Sequence, residues 1–340
     1  MINIMFWDTT LRDGEQAPGF ALSSNQKVKV ARSLDEIGVT TIEAGFPANQ
    51  EHDYNSVNAV AKTVENSEVA AFARAVENDI DLAARALEPA KHPVILTFTP
   101  ASDAKLASIG WTREQGLEAG VKAVEHAKRF VEDVSFGTEF STRADKDYLV
   151  RLFNEVISAG AKRIIIADTT GYMLSNQFGS LVKEVKERVN GDYTLSVHCH
   201  NDLGLAVANS LSAIQNGATE VQVTANGIGE RCGNTSLETL AHALYLHGER
   251  LGVSADVNYK AMVENVRSIA EVFEVPVHSF QPVVGENAFA TAAGTHIRAA
   301  ELYLEVNPQE VYGIEGETFS GPHSGPHTSG AKKENPKDQE

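Results

Sequence analysis

Cysteine is nearly absent from this 340-residue chain, which carries only Cys199 and Cys232. Two thiols are too few for a disulfide framework, so a buried core must hold the fold together. Basic residues are also scarce: 29 Lys and Arg stand against 46 Asp and Glu, a formal net charge of −17. That charge repels polyanions, which argues against a nucleic-acid surface or a polybasic membrane anchor, and any anionic ligand must meet locally placed positive charge. No apolar run reaches the roughly 20 residues a membrane-spanning helix needs, and no charged-then-apolar leader precedes the first apolar run. A reducing, cytoplasmic setting is the expectation.

What the chain does have is enough apolar residue, 42% of the total, for one large domain of roughly 200–300 residues and an accessory segment. Short β-rich runs recur: INIMFW, TTIEAGF, EVAAFARA, PVILTFT, DVSFG, RIIIAD, TLSVHCH and EVQVTA. Helical patterns separate them. The first, Ser23 to Gly38, opens on a capping box of Ser23 and Gln26, carries apolar residues at Val30, Ala31, Leu34 and Ile37, and stops at a glycine. Another opens at Thr112, with Gln115 three residues on.

Eight such runs alternating with helices over roughly 230 residues indicate an α/β fold, and eight strands close a (β/α)8 TIM barrel. An open doubly wound sheet is the competing architecture. Polar groups collect where the strands end, in DTTLRDGE, EAGFP, TPASD, GTEFS, DTTG, HCHND and NGIGER, and a barrel brings those ends to one mouth. The expected division is a barrel over residues 1–247, a short, mostly helical C-terminal subdomain over 248–315 and a flexible tail over 316–340. The tail's SGPHSGPH is read as solvated chain rather than as a metal tract.

His198 and His200 are one residue apart in a strand and so share a face. By themselves they could be a hydrogen-bonded core pair. The first strand, however, ends in Asp8, Arg12, Asp13 and Glu15, and the loop after the eighth supplies Asn226, Glu230, Arg231 and Asn234. In a closed barrel the seventh, eighth and first strands are neighbours. Asp13, His198 and His200, with the amide oxygen of Asn234 as a further candidate, would make a mixed N/O site suited to Mg²⁺, Mn²⁺ or Zn²⁺. Cys199 points the other way and is expected to pack.

The motifs DTTLRDGEQAPG, IEAGFP, HCHNDLGLAVANSLSAIQNGA, NGIGERCGN and VGENAFA occur in one order over roughly residues 4–313. In these the chain resembles the alpha-isopropylmalate synthase and homocitrate synthase family of metal-dependent barrel enzymes. The resemblance implies that acetyl-CoA condenses with a 2-oxo acid and that thioester hydrolysis follows. It implies metal ligands Asp13, His198 and His200, with Asn234 a companion, and Arg12 stabilising the alkoxide. It also implies Glu139, His296 and Tyr303 as members of the acid/base machinery, Thr169 as a contact of the 2-oxo acid carboxylate, and a homodimer. The segment after the barrel would close over the mouth. Glu43 and Arg74 are expected in structural ion pairs around the site.

Two positions depart from the family pattern. Where isopropylmalate synthases commonly read HTFIATSD, this chain reads LTFTPASD, placing Leu96 at a polar contact; where they often read VEFSPED, it reads VSFGTEFS, placing Gly137 at a serine. Both changes bear on the pocket for the 2-oxo acid side chain, making it more apolar and roomier, which suits a branched, longer or aromatic substrate. A homocitrate synthase would need a basic partner for a second carboxylate, for which Arg74 and Arg143 are the candidates. The family's large regulatory domain has no counterpart in these residues, so feedback by leucine through it is not expected. The competing readings are cleavage, as in lyases that split hydroxymethylglutaryl-CoA through a loop cysteine, and a non-catalytic metabolite-binding barrel. The synthase-type loop around Cys232 argues against the first, and the retained acid/base and metal-ligand set against the second.

Overall fold

The computed structural model describes residues 1–290 and 305–314. Each of the eight runs is a strand: β1 Met5–Asp8, β2 Thr41–Gly45, β3 Glu68–Arg74, β4 Pro93–Pro100, β5 Asp133–Glu139, β6 Arg163–Asp168, β7 Thr194–Cys199 and β8 Glu220–Val223. They pair in parallel in chain order, and β8 returns to β1 with Phe6 opposite Val221. The barrel is therefore closed, and the open sheet is excluded.

Helices cover the outside. The helix Ser24–Ile37 has the expected reciprocal capping box and ends at Gly38 with φ 84°, a left-handed position that favours glycine. Arg113–Ala127 starts with the Thr112–Gln115 box. Between helices and strands lies the main core, which Ile42, Ala44, Ile95, Phe136, Ile164 and Val197 enter from the strands.

The alternate strand residues point inward and form layers. Trp7, Ala70, Val94, Leu96 and Ile165 make a separate apolar cluster inside the barrel, with Phe72 against it. At the amino ends of the strands Arg163 meets Glu68 at 2.6 Å and Asp133 and Glu220 at 3.5 Å each. Charge thus closes the base, an apolar plug fills the middle, and the carboxyl ends are left for chemistry.

Helix Leu237–Leu251 spans the expected 247/248 boundary. Beyond it, Tyr259–Val272 packs on Ser24–Ile37 and places Met262, Val263, Val266 and Ile269 in the main core. The expected tail over 316–340 lies outside the described residues. Among the described residues no helix is long and apolar enough to cross a membrane.

Candidate active site

The loop after β1 folds back on itself. The Thr10 N–H donates to Asp8 Oδ1 at 2.8 Å, and the Asp13 N–H donates to Thr9 Oγ1 at 3.3 Å, which sets Asp13 at the barrel mouth. The Ala225 N–H donates to Thr10 Oγ1 at 2.9 Å and ties this loop to the one after β8. That second loop must approach closely. A Cβ on Gly229 would lie 2.1 Å from Asn234 Nδ2, and one on Gly233 would lie 1.9 Å from the Gly227 carbonyl oxygen. Both glycines also have positive φ, so the pattern NGIGERCGN is a steric requirement.

His198 and His200 are buried with their Nε2 atoms 3.1 Å apart. Each Nδ1 is engaged behind the site, His198 with Gln222 Oε1 at 2.8 Å and His200 with the Gly233 carbonyl at 3.2 Å. Because those oxygens accept, the Nδ1 atoms carry the protons and two bare Nε2 lone pairs face each other. Asp13 Oδ2 lies 3.8 Å from each of them. The three donors fall within 4.8 Å of one another, so the group fits a divalent cation with its outer partners already in place.

The protonation states agree with that fit. Burial holds the His198 imidazole below its ordinary value, and burial together with His198 holds His200 down to about 4. Burial would raise the Asp13 carboxyl, but Arg12 and the two histidines outweigh it and hold it well below the usual range. Both imidazoles are therefore neutral and the Asp13 carboxyl ionised at neutral pH, so the three ligating atoms carry no proton.

Asn234 Nδ2 donates to Asp13 Oδ1 at 2.8 Å and to the Ile228 carbonyl at 3.2 Å. Its amide oxygen, the candidate metal companion, is buried and has no hydrogen-bond partner among the described residues. Arg12 donates from Nε to Glu43 Oε1 at 2.6 Å, from Nη2 to Glu43 Oε2 at 3.4 Å and from Nη1 to Asp13 Oδ2 at 2.7 Å. Its guanidinium lies over the Phe72 ring, 4.9 Å from the centroid. Glu43 is completely buried and also accepts from the Trp7 indole at 3.0 Å. The expected structural ion pair of Glu43 is thus the one that aims Arg12. Arg74 pairs with Asp79 at 2.6 Å, and neither lines the cavity at the mouth.

These groups open on one cavity of about 290 Å³. Arg12, Asp13, His198, His200 and Gln222 form one arc of its wall, from the loop after β1, the end of β7 and β8. Phe72, Leu96, Phe98, Gly137, Ile165 and Ala167 form the other, on β3 to β6. Glu139 and Thr169 sit on the cavity as well, and Thr169 Oγ1 accepts the Phe140 N–H at 2.8 Å. Cys199 is fully buried and burial pushes its thiol up, whereas Cys232 is exposed. His296 and Tyr303 lie outside the described residues. Sequence reasoning missed Gln222, Phe72, Phe98 and Ile165. A polar residue two positions after Glu220 in EVQV was the one available signal.

Asp8, beneath this loop, is fully buried, and burial, with smaller contributions from Glu43 and Glu238, pushes its carboxyl up from 3.8 to about 7 against the opposing Thr10 hydrogen bonds. Its Oδ2 has no hydrogen-bond partner among the described residues. A folded value above the unfolded one means that the native state holds the proton longer. Asp8's contribution to stability is therefore complete below 3.8 and is lost as the pH rises through about 7. Asp8→Asn is expected to gain on the wild type by roughly 1–4 kcal/mol between about pH 5 and 8, measured by denaturant unfolding at both values. A difference that does not change with pH would mean that Asp8 titrates as an ordinary carboxylate.

Residues 3–272 match the HMGL-like family. The chain belongs to that family. Among its relatives, the 2-isopropylmalate synthase of Parabacteroides distasonis is 42% identical over 315 residues, 91% of this chain and 63% of that protein. The 2-isopropylmalate synthase of Pyrococcus abyssi is 40% identical over 98% of this chain and 70% of its own length. This HMGL-like chain thus spans a little under two thirds of the first of these and somewhat more of the second. In three dimensions it resembles the hydroxymethylglutaryl-CoA lyase of Pseudomonas aeruginosa, with a TM-score of 0.66 at 21% identity over 80% of this chain and 93% of that one. It also resembles an HMG-CoA lyase of Acinetobacter baumannii solved with coenzyme A and 3-methylmalate, with a TM-score of 0.66 at 20% identity over 81% of this chain and 92% of that one. At these identities the likeness is one of fold.

Proposed function

We propose that this chain is a 2-isopropylmalate synthase-like acyltransferase: it condenses acetyl-CoA with a 2-oxo acid and hydrolyses the resulting thioester, giving a 2-alkylmalate-type product and CoA. The observation that carries the reading is the pair of bare Nε2 atoms beside Asp13, with Arg12 next to them, opening on a cavity whose far wall is apolar. The names of its relatives support the reaction class, and the coenzyme A in a lyase of the same fold supports the acyl carrier.

Asp13, His198 and His200 would hold a divalent ion, with the unpartnered Asn234 Oδ1 beside them. When bound, that ion supplies Lewis-acid polarisation of the ketone and a positive charge for the substrate carboxylate. Arg12 keeps unused N–H groups beyond the three it gives to Glu43 and Asp13, and these donate to the alkoxide as it forms. The Thr169 oxygen already accepts from Phe140, so its hydroxyl proton is free to orient the 2-oxo acid carboxylate. A methyl proton of acetyl-CoA passes to the acid/base machinery, of which Glu139, His296 and Tyr303 are the members the family motifs imply. The enolate carbon then bonds to the ketone carbon, the carbonyl pair becomes the alkoxide and takes up the proton the base removed, and water adds to the thioester carbonyl and expels CoA as its thiol, leaving the new carboxylate.

The test is thiol release from acetyl-CoA by purified protein with Mn²⁺ or Mg²⁺ and a series of 2-oxo acids. Release that requires both an oxo acid and the metal, and stops with chelator, is expected. Oxo acid bound without any CoA release would instead support a non-catalytic metabolite-binding barrel. Sedimentation velocity checks the homodimer that belongs to this reading.

A further inference from the structure

Resting on the condensation reading, we propose that the 2-oxo acid taken by this site carries a planar aromatic side chain, which lies on the backbone of Gly137 between Leu96, Phe98 and Ile165.

Gly137 differs from the glycines of the metal-side loop. Its strand register places it between Phe98 and Ile165. A Cβ built there would sit 3.7 Å from Phe98 Cβ and 3.8 Å from both Ile165 Cβ and Leu96 Cδ1, ordinary contacts that displace nothing. Its φ is not among the positive ones either. Neither backbone nor packing requires glycine at this position, unlike Gly229 and Gly233. Its effect is on the cavity: a side chain is missing from the wall, and a flat strip of backbone lines it between apolar flanks.

The surroundings are aromatic. Phe98 is stacked on Phe72 with centroids 4.7 Å apart and planes at 25°, and Phe46 meets Phe72 edge-on at 5.5 Å. Phe72 and Phe98 remain only half-buried although they line a barrel mouth. A ligand ring would cover that apolar area, and a flat ring fits a backbone floor better than a tetrahedral branch does.

Charge excludes the other large class of acids. Among the described residues the cavity wall contains one guanidinium, Arg12, and no lysine. Arg12 is held by Glu43 and Asp13 beside the metal group, and its remaining N–H groups serve the reacting oxygen there, not the far wall. Arg74 pairs with Asp79, and Arg143 reaches Thr170 and lies over the Tyr172 ring. Lys105 lies 3.6 Å from the Glu139 carboxylate and is paired with it, so among the described residues a second carboxylate on the far wall would be desolvated without an unpaired cation to meet it.

The experiment measures kcat/KM for phenylpyruvate, 2-oxoisocaproate, 2-oxoisovalerate, pyruvate and 2-oxoglutarate by CoA release from acetyl-CoA with Mn²⁺. Phenylpyruvate is expected to exceed every aliphatic acid by about tenfold or more. In Gly137→Val the ratio of phenylpyruvate to pyruvate should fall by roughly 10- to 200-fold, and Gly137→Ala gives the same sign should the valine variant not fold. Preference for any aliphatic acid, or an unchanged ratio in the variants, overturns the proposal. If no acid releases CoA, the condensation reading fails, and calorimetry with Mn²⁺ present decides the inference separately. Tighter binding of phenylpyruvate than of 2-oxoisovalerate then upholds it, and equal or weaker binding overturns it.

Discussion

Asp13→Ala should lose both calorimetric Mn²⁺ binding and CoA release, by more than the roughly 10- to 100-fold that removal of an outer partner of a metal ligand costs. The size follows from what remains. Two bare imidazole nitrogens would face each other at 3.1 Å beside the Arg12 guanidinium, and the negative charge that balances them would be gone. A cation would then enter a site whose nearest formal charge is positive. Gln222→Leu tests the layer behind, because its Oε1 fixes the His198 Nδ1 proton and so keeps Nε2 bare. There the loss should stay within the roughly 10- to 100-fold range, with some Mn²⁺ binding retained. Asp13→Ala binding Mn²⁺ as tightly as the wild type would remove the metal centre from the reading.

Most of the barrel was legible in the chain because every strand is a short β-rich run stopped by polar residues. Closure followed from where those residues collect. Asp13, His198 and His200 were legible for the same reason: each lies at or just beyond the carboxyl end of a strand, and barrel closure brings those ends together. The supporting shell was not. The amide in EVQV looks like the outward residue of a half-buried strand until the register opposite His198 turns it inward. Phe72 and Phe98 look like ordinary strand formers, since nothing local says that their faces line a cavity rather than a core. Glu43 was expected in an ion pair, but its partner lies 31 residues away and is chosen by packing under Trp7. Asn234 was expected to offer its oxygen; nothing in the sequence signals that its nitrogen donates to Asp13 and leaves that oxygen without a hydrogen-bond partner among the described residues.

Arg12→Lys should lower kcat by roughly 10²- to 10³-fold and change Mn²⁺ affinity and the KM for the oxo acid far less. The guanidinium reaches Glu43 through two nitrogens and Asp13 through the third, all in one plane, with its face on Phe72. That geometry leaves N–H groups pointing in a fixed direction beside the metal ligands. A lysine ammonium keeps the charge but is a single point on a flexible stem, so it cannot bridge both carboxylates and still present a donor along that line. Alanine would be the wrong probe. It would strand the fully buried Glu43 carboxylate, a loss of about 3–5 kcal/mol in stability that would obscure the kinetics. Glu43→Gln separates aim from charge, because it leaves the guanidinium in place but loosens its hold. A smaller fall in kcat is expected there, again with KM nearly constant, as for a positioning residue. Full kcat in Arg12→Lys would show that the guanidinium serves only the ion pair and that the alkoxide is stabilised elsewhere.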